Sequence, residues 1–262
     1  TLLEVDNYKQ EKYINQLTEG IKETLISNKT SDAFKTTVLT PPSDGFIGEK
    51  LTERNVRIDP KFIFERKAII LKTLANNLID ELTINYNKIK LFNETNKYNT
   101  DTISIGKRKL KNLIQQWLCQ IHTTSDWQAQ IQKKFFESTN MTDRVENLKS
   151  LTLLGSKSSD KALQFFYQNY QSDPIVLDKW IALQIESKDF FSHNTIKILD
   201  VVKRFLNEDF FNRKNPNRVQ AVLGTFFFKN LKEFHQYEES YEIWSSEILK
   251  LDKCNPQLAA RL

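Results

Sequence analysis

Three histidines, His122, His193 and His235, are the imidazoles available for chemistry in the 262 residues. None is paired in the H-E-x-x-H spacing that sets two imidazoles on one helix face. A zinc site would need three distant segments to converge, so each histidine reads as a surface or helix-end residue and no metal ligands are assigned. Nucleophile signatures are equally absent: there is no G-x-S-x-G elbow, no G-x-G-x-x-G and no phosphate-binding loop. Cys119 follows Leu118 on an apolar helical stretch and is expected to be a small buried residue. Glu238-Glu239 reads as solvated helix surface. No catalytic residue is expected in this chain.

Two polar clusters remain. In N-P-N-R-V-Q, Asn215 to Gln220, the asparagine can cap a helix and Arg218 then falls in its first turn. A cation there opposes the helix dipole by a few tenths of a kcal/mol, which predicts a compensating partner, a carboxylate. The alternative is a solvated arginine. In N-P-Q-L-A-A-R, Asn255 to Arg261, Gln257 and Arg261 are four residues apart and share one helix face beside the small Ala259 and Ala260. An amide next to a guanidinium can recognise a peptide carbonyl or carboxylate. The alternative is ordinary helix surface.

The elements that must carry these clusters are helices. Phe64, Ala68, Leu71, Ala75, Leu78, Leu82, Tyr86 and Ile89 step by three or four and predict one long helix over about 60–92. Leu110, Leu113, Ile114, Trp117 and Ile121 form a second stripe, and Tyr237, Tyr241, Trp244, Ile248 and Leu251 a third. Val145, Leu148, Leu151 and Leu154 lead to Gly155, a C-cap glycine. Asp59-Pro60, Asp173-Pro174, Asn215-Pro216 and Asn255-Pro256 each combine a capping side chain with proline at the first helical position. Proline costs nothing there, because its missing N–H would have no partner. No period-two alternation extends over a useful length. The expected class is all-α: about a dozen helices in an irregular superhelical array (solenoid) of antiparallel helix pairs. No strict repeat is visible, so no named repeat class is assigned. The chain is read as one helical domain over 1–262, with 1–58 less regular and 59–262 the superhelical part.

Composition agrees with this class. Six glycines and six prolines are too few for the turns of a β-rich chain. The charge of +5 and pI near 9.0 raise a nucleic-acid reading, but 38 basic residues are interleaved with 33 acidic ones. The densest basic run, Lys107 to Lys111, reads as the solvated face of one helix, so no nucleic-acid partner is expected. Cys119 and Cys254 form no disulfide framework. No apolar stretch reaches the roughly 18 residues of a membrane span; no membrane partner and a cytoplasmic location are expected. The sequence begins at Thr1 without an initiator Met and stops at Leu262 within a new helix, so truncation at both ends is expected.

In order along the chain, L-T-P-P-S (Leu39 to Ser43), I-D-P (Ile58 to Pro60), T-L-A (Thr73 to Ala75), N-M-T-D-R-V-E-N-L (Asn140 to Leu148), V-L-D-K-W-I-A-L-Q (Val176 to Gln184), N-P-N-R-V-Q-A-V-L-G-T-F (Asn215 to Phe226), Phe234-His235 and N-P-Q-L-A-A-R-L (Asn255 to Leu262) closely resemble the C-terminal region of bacterial-type aminopeptidase N. The resemblance covers nearly the whole chain and is most specific from residue 140 onward. It implies a zinc metallopeptidase that removes N-terminal residues from peptides, whose H-E-x-x-H and G-x-M-E-N motifs lie in a catalytic domain outside this sequence. This domain would then cap the active-site cleft and restrict entry, with the catalytic domain of the same chain and peptide substrates as partners and zinc as the cofactor of the full enzyme. The resemblance also implies substrate-contacting positions beyond the scissile bond, Gln257 and Arg261, and adds Arg218 and Gln220. At Gln220 the sequence departs from the family pattern, which has a second arginine there; a neutral hydrogen bond replaces a charge contact and alters substrate preference. The isolated segment is expected to be inactive. A different reading of the same periodicity is a non-catalytic α-solenoid that presents a concave face to a protein partner.

Overall fold

The computed structural model describes residues 7–95, 98–155, 157–186 and 197–262, and among them every regular element is helical. In chain order these are α1 (Asn7–Ile26), α2 (Asp32–Leu39), α3 (Asp44–Thr52), α4 (Pro60–Asn77), α5 (Ile79–Thr95) and α6 (Thr102–Leu118). Then follow α7 (Ser125–Glu137), α8 (Met141–Leu153), α9 (Lys157–Tyr170), α10 (Pro174–Glu186) and α11 (Ile198–Leu206). The last are α12 (Pro216–Val219), a π-helical turn (Gln220–Gly224), α13 (Thr225–Lys229), α14 (Leu231–Phe234), α15 (Glu238–Asp252) and α16 (Pro256–Ala259). The all-α array of packed helix pairs is the class the sequence predicts. The stretch read as less regular, 1–58, holds three of these helices. The first carries Ile21 and Leu25 four apart, both buried.

The Asx-Pro pairs start helices as expected. Oδ1 of Asp59 accepts from Lys61 N at 2.9 Å, and that of Asp173 from Ile175 N at 3.0 Å. Oδ1 of Asn215 accepts from Asn217 N, and that of Asn255 from Leu258 N, both at 3.0 Å. Each accepts from an amide in the first turn of its helix, where N–H groups lack the usual i−4 carbonyl. Gly155 ends α8 with φ 58°, the left-handed conformation that a side chain disfavours.

The described residues fall into two compact units. The first comprises those within Thr1–Pro42 and Phe62–Ser150. Its core gathers Ile21, Leu25, Leu39, Leu78, Leu82, Leu110 and Ile114, each buried. The 60–92 helix is divided at Leu78 into α4 and α5, although Leu78 N still reaches Leu74 O at 3.0 Å and Leu82 N reaches Leu78 O at 2.9 Å. Ala75, Leu78, Leu82, Tyr86 and Ile89 of the predicted stripe are buried. Gly106 of α6 lies against Ala33 of α2 so closely that a Cβ would stand 3.3 Å from the Ala33 nitrogen. The basic run is not a solvated face. Arg108 is buried, with its guanidinium 4.3 Å from the Tyr98 ring centre. Lys107 and Lys111 are half-buried in ion pairs with Asp32 at 3.2 Å and Asp143 at 2.8 Å. Their carboxylate partners sit 75 and 32 residues away, respectively, beyond the reach of a local charge pattern.

The second unit comprises the described residues within Ser43–Lys61 and Leu151–Leu262. Its core is built from Ile181, Ile185, Val202, Phe205, Val222, Leu223, Phe226 and Leu251. In α15 the buried face coincides only in part with the predicted stripe. Tyr241 and Trp244 are exposed, while Ser240, Glu247 and Leu251 are buried. Tyr237 and Ile248 of the predicted stripe pack half-buried against the core that holds Leu251, and the polar Ser240 and Glu247 complete the buried face in place of Tyr241 and Trp244.

Candidate functional site

Four residues carried the sequence reading, and all lie in the second unit. Asn215 starts α12, which places Arg218 in the first turn. The expected carboxylate is present: Arg218 Nε donates to Asp178 Oδ1 of α10, and Nη1 donates to the Phe210 carbonyl. The guanidinium also lies 5.3 Å from the Phe210 ring centre. Arg218 is 4% exposed, so its charge is spent inside the fold. Val219 and Ala221 to Phe227 are buried, which anchors the segment and leaves Gln220 facing outward.

Gln220 opens the π-helical turn Gln220–Gly224. Its backbone carbonyl accepts from the Thr225 N–H, five residues on, and also from Thr225 Oγ1 at 3.3 Å. Such i→i+5 turns insert one residue into a helix and re-aim the side chains around them. No apolar pattern announces them, and this one was not predicted.

Gln257 and Arg261 sit on α16 and the turn that follows it. Leu258, Ala259 and Leu262 are buried and root this turn in the same core that holds Val219 and Ala221. Trp244 Nε1 donates to the Leu262 carbonyl at 2.9 Å and ties the turn to α15. Gln257 and Arg261 are both exposed, on the face left free by that anchoring. Arg218 is buried while Gln220 is exposed, and Arg261 lies past the end of α16, which holds Gln257. Among the described residues no hydrogen bond joins Arg218 or Gln220 to Gln257 or Arg261.

Sequence reasoning missed an ionic cluster in the second unit. Glu247 is 3% exposed and takes both oxygens to Arg213, at 2.7 and 2.9 Å, with Lys250 at 2.8 Å. Burial pushes its carboxyl up, but the hydrogen bonds from Arg213 and Lys250 outweigh that and hold it below the ordinary range. Lys250, one helical turn on, was the one readable signal.

The remaining candidates are ordinary. Cys119 is buried and caps α6, with Trp127 Nε1 3.3 Å from its sulfur. Burial pushes its thiol up to about 11. The His122 ring lies 5.3 Å from that of Trp127. His235 Nδ1 is 2.6 Å from the Tyr241 hydroxyl, and burial lowers its pKa. His193 lies outside the described residues. Among the described residues, no group of three or more His, Cys, Asp and Glu side chains could hold a metal ion. No described helix is long and apolar enough to cross a membrane.

These features define a class of helical-repeat domain. The chain belongs to the family described as "Domain of unknown function (DUF3458_C) ARM repeats", which matches residues 2–262. ARM is a named repeat class, where the sequence alone shows none: helix pairing repeats, and residue identity does not. More particularly, it is a domain of the kind carried by aminopeptidase N chains. It is 30% identical to aminopeptidase N of Haemophilus influenzae over 87% of this chain and 24% of that protein. To aminopeptidase N of Escherichia coli it is 29% identical over 93% of this chain and 26% of that one. Its fold matches that in the crystal structure of Legionella pneumophila aminopeptidase A in complex with aspartic acid. The TM-score is 0.75 at 23% identity, over 99% of this chain and 32% of that one. The chain thus spans about a quarter of the length of these curated relatives.

Proposed function

We propose that this chain is the single C-terminal helical domain of a zinc-dependent, cytoplasmic aminopeptidase, which caps the chamber where N-terminal residues are removed from peptides. The observation that carries the reading is likeness to aminopeptidase N along 87% or more of this chain. The zinc would be held by residues outside this chain, since no described cluster here suits it, and no step of the hydrolysis is assigned to this domain. Its share is confinement and recognition. Gln257 and Arg261 offer an amide and a bidentate cation to the peptide beyond the scissile bond. Gln220 offers a neutral amide from the π turn. Arg218 acts through the fold, because its guanidinium is committed to Asp178 and the Phe210 carbonyl.

The test is to express the full-length gene product and assay release of N-terminal residues from peptides before and after chelation. Chelator-sensitive release by the full protein, with none from the 262 residues alone, supports the reading. Absence of activity from metal-loaded full protein favours the second reading, a helical-repeat module for a protein partner. The ARM-repeat description is what favours that alternative.

A further inference from the structure

The π turn holds a close approach that the proposed substrate contacts do not explain. A Cβ built on Gly224 would stand 2.2 Å from Gln220 Oε1 and 3.1 Å from its Cδ. The Gln220 carboxamide thus lies across the bare α-carbon of Gly224. The glycine is not there for its backbone, because φ −61° and ψ −37° are right-handed helical values open to any residue. Glycine inside a helix is destabilising relative to alanine, so the position carries a residue that costs helix stability and provides space. Helix geometry explains the overlap: each Cα–Cβ bond tilts toward the N-terminus, so a side chain at 224 points back over 220. Among the described residues Gln220 has no side-chain hydrogen bond, and the only visible restraint on its amide is this seat.

We propose that Gly224 is a positioning residue: by lacking a side chain it seats the Gln220 carboxamide against the helix and so sets the preference for peptide residues beyond the cleaved bond. The second half rests on reading Gln220 as substrate-facing. With Gly224 the amide is held close to the backbone and leaves room in front of it. With any larger residue it is expelled into solvent-facing rotamers.

The experiment uses the full-length enzyme with Gly224→Ala, Gln220→Ala and the double variant. KM and kcat are measured on a tripeptide and on a single-residue amide, and the Gly224→Ala structure is determined. Expulsion of a flexible side-chain end is cheap, so Gly224→Ala is expected to fold. Its KM for the tripeptide should rise about threefold to tenfold, on the scale of one hydrogen bond, with the single-residue amide unaffected. The double variant should match Gln220→Ala alone. An equal effect of Gly224→Ala with and without the Gln220 side chain overturns the proposal, as does an unmoved Gln220 in the variant structure. If Gln220→Ala leaves tripeptide KM unchanged, the substrate-facing reading fails and takes the specificity half with it. A Gln220 side chain that has moved in the variant structure then still upholds the seating role.

Discussion

Arg218 of α12 and Asp178 of α10, 40 residues apart in sequence, form a buried ion pair at the base of the segment that presents Gln220. The side chains are 5% and 14% exposed. A cation in a first helical turn is locally unfavourable by a few tenths of a kcal/mol. A half-buried carboxylate, a carbonyl and an aromatic face outweigh that here. The pair therefore belongs to the scaffold of the candidate site, one layer below its exposed amide.

Removing one partner should cost far more than removing both. Asp178→Ala leaves a buried guanidinium without its counter-charge, a change that costs about 3–5 kcal/mol in comparable pairs. Asp178→Leu with Arg218→Met replaces the pair by apolar volume and should fall well below the sum of the singles. Urea unfolding of the parent, Asp178→Leu, Arg218→Met and the double variant checks this; additive losses would mean that the pair is not coupled.

Arg261 is exposed and, among the described residues, has no such internal ion pair. In the full-length enzyme, Arg261→Ala is expected to weaken turnover of peptides about tenfold, the worth of one charge-assisted hydrogen bond. Single-residue amides should be little affected, since they end at the scissile bond. Equal losses on both substrates would remove Arg261 from the region beyond that bond.

The capping geometry predicts the stability of the turn that carries Gln257 and Arg261. Asn255 Oδ1 accepts from Leu258 N at the start of a four-residue helix. Asn255→Ala should cost about 1 kcal/mol and, by loosening the turn, should raise peptide KM alongside Arg261→Ala. Asn255→Asp, which keeps the acceptor, should restore both readouts. Loss of stability without any change in KM would separate the cap from the face.

Much of this was legible because it is local. An Asx-Pro pair encodes both the cap acceptor and the fixed φ of the next residue, so Asn215 and Asn255 announced α12 and α16 directly. Leu110, Ile114 and Trp117 announced the buried face of α6 because apolar spacing and burial coincide there. What was illegible depends on distant partners. Arg108 lies buried within a run that reads as solvated, and Glu247 is buried because Arg213, 34 residues away, reaches it. A π turn leaves no periodic signature at all, so the setting of Gln220 could not be read in advance.

The two cysteines should differ sharply in reactivity. Cys119 is buried and its thiol is pushed up to about 11, which leaves very little thiolate near neutral pH. Cys254 is exposed. Titration of the folded 262-residue chain with an aromatic disulfide should release one equivalent quickly and the second only on unfolding. Rapid reaction of both thiols would show that the α6 C-terminus opens readily.

Glu247 should dominate the acid limb of stability in the second unit. Its folded pKa lies below the ordinary glutamate value of about 4.5 because Arg213 and Lys250 hold its charged form. A carboxyl held down in the fold stabilises it fully above the unfolded pKa. That contribution is lost as pH falls from about 4.5 through the lower folded value, because the unfolded chain takes up the proton first. One proton corresponds to a slope of up to about 1.4 kcal/mol per pH unit across that window. Glu247→Gln should be less stable than the parent above pH 4.5 and should lose stability less steeply below it. Arg213→Ala should do likewise while raising the Glu247 pKa, which a carboxyl-detected NMR titration reads directly. Parallel pH profiles for parent and Glu247→Gln would show that the buried carboxylate adds nothing to acid stability. The cost of burying it would then cancel what Arg213 and Lys250 supply.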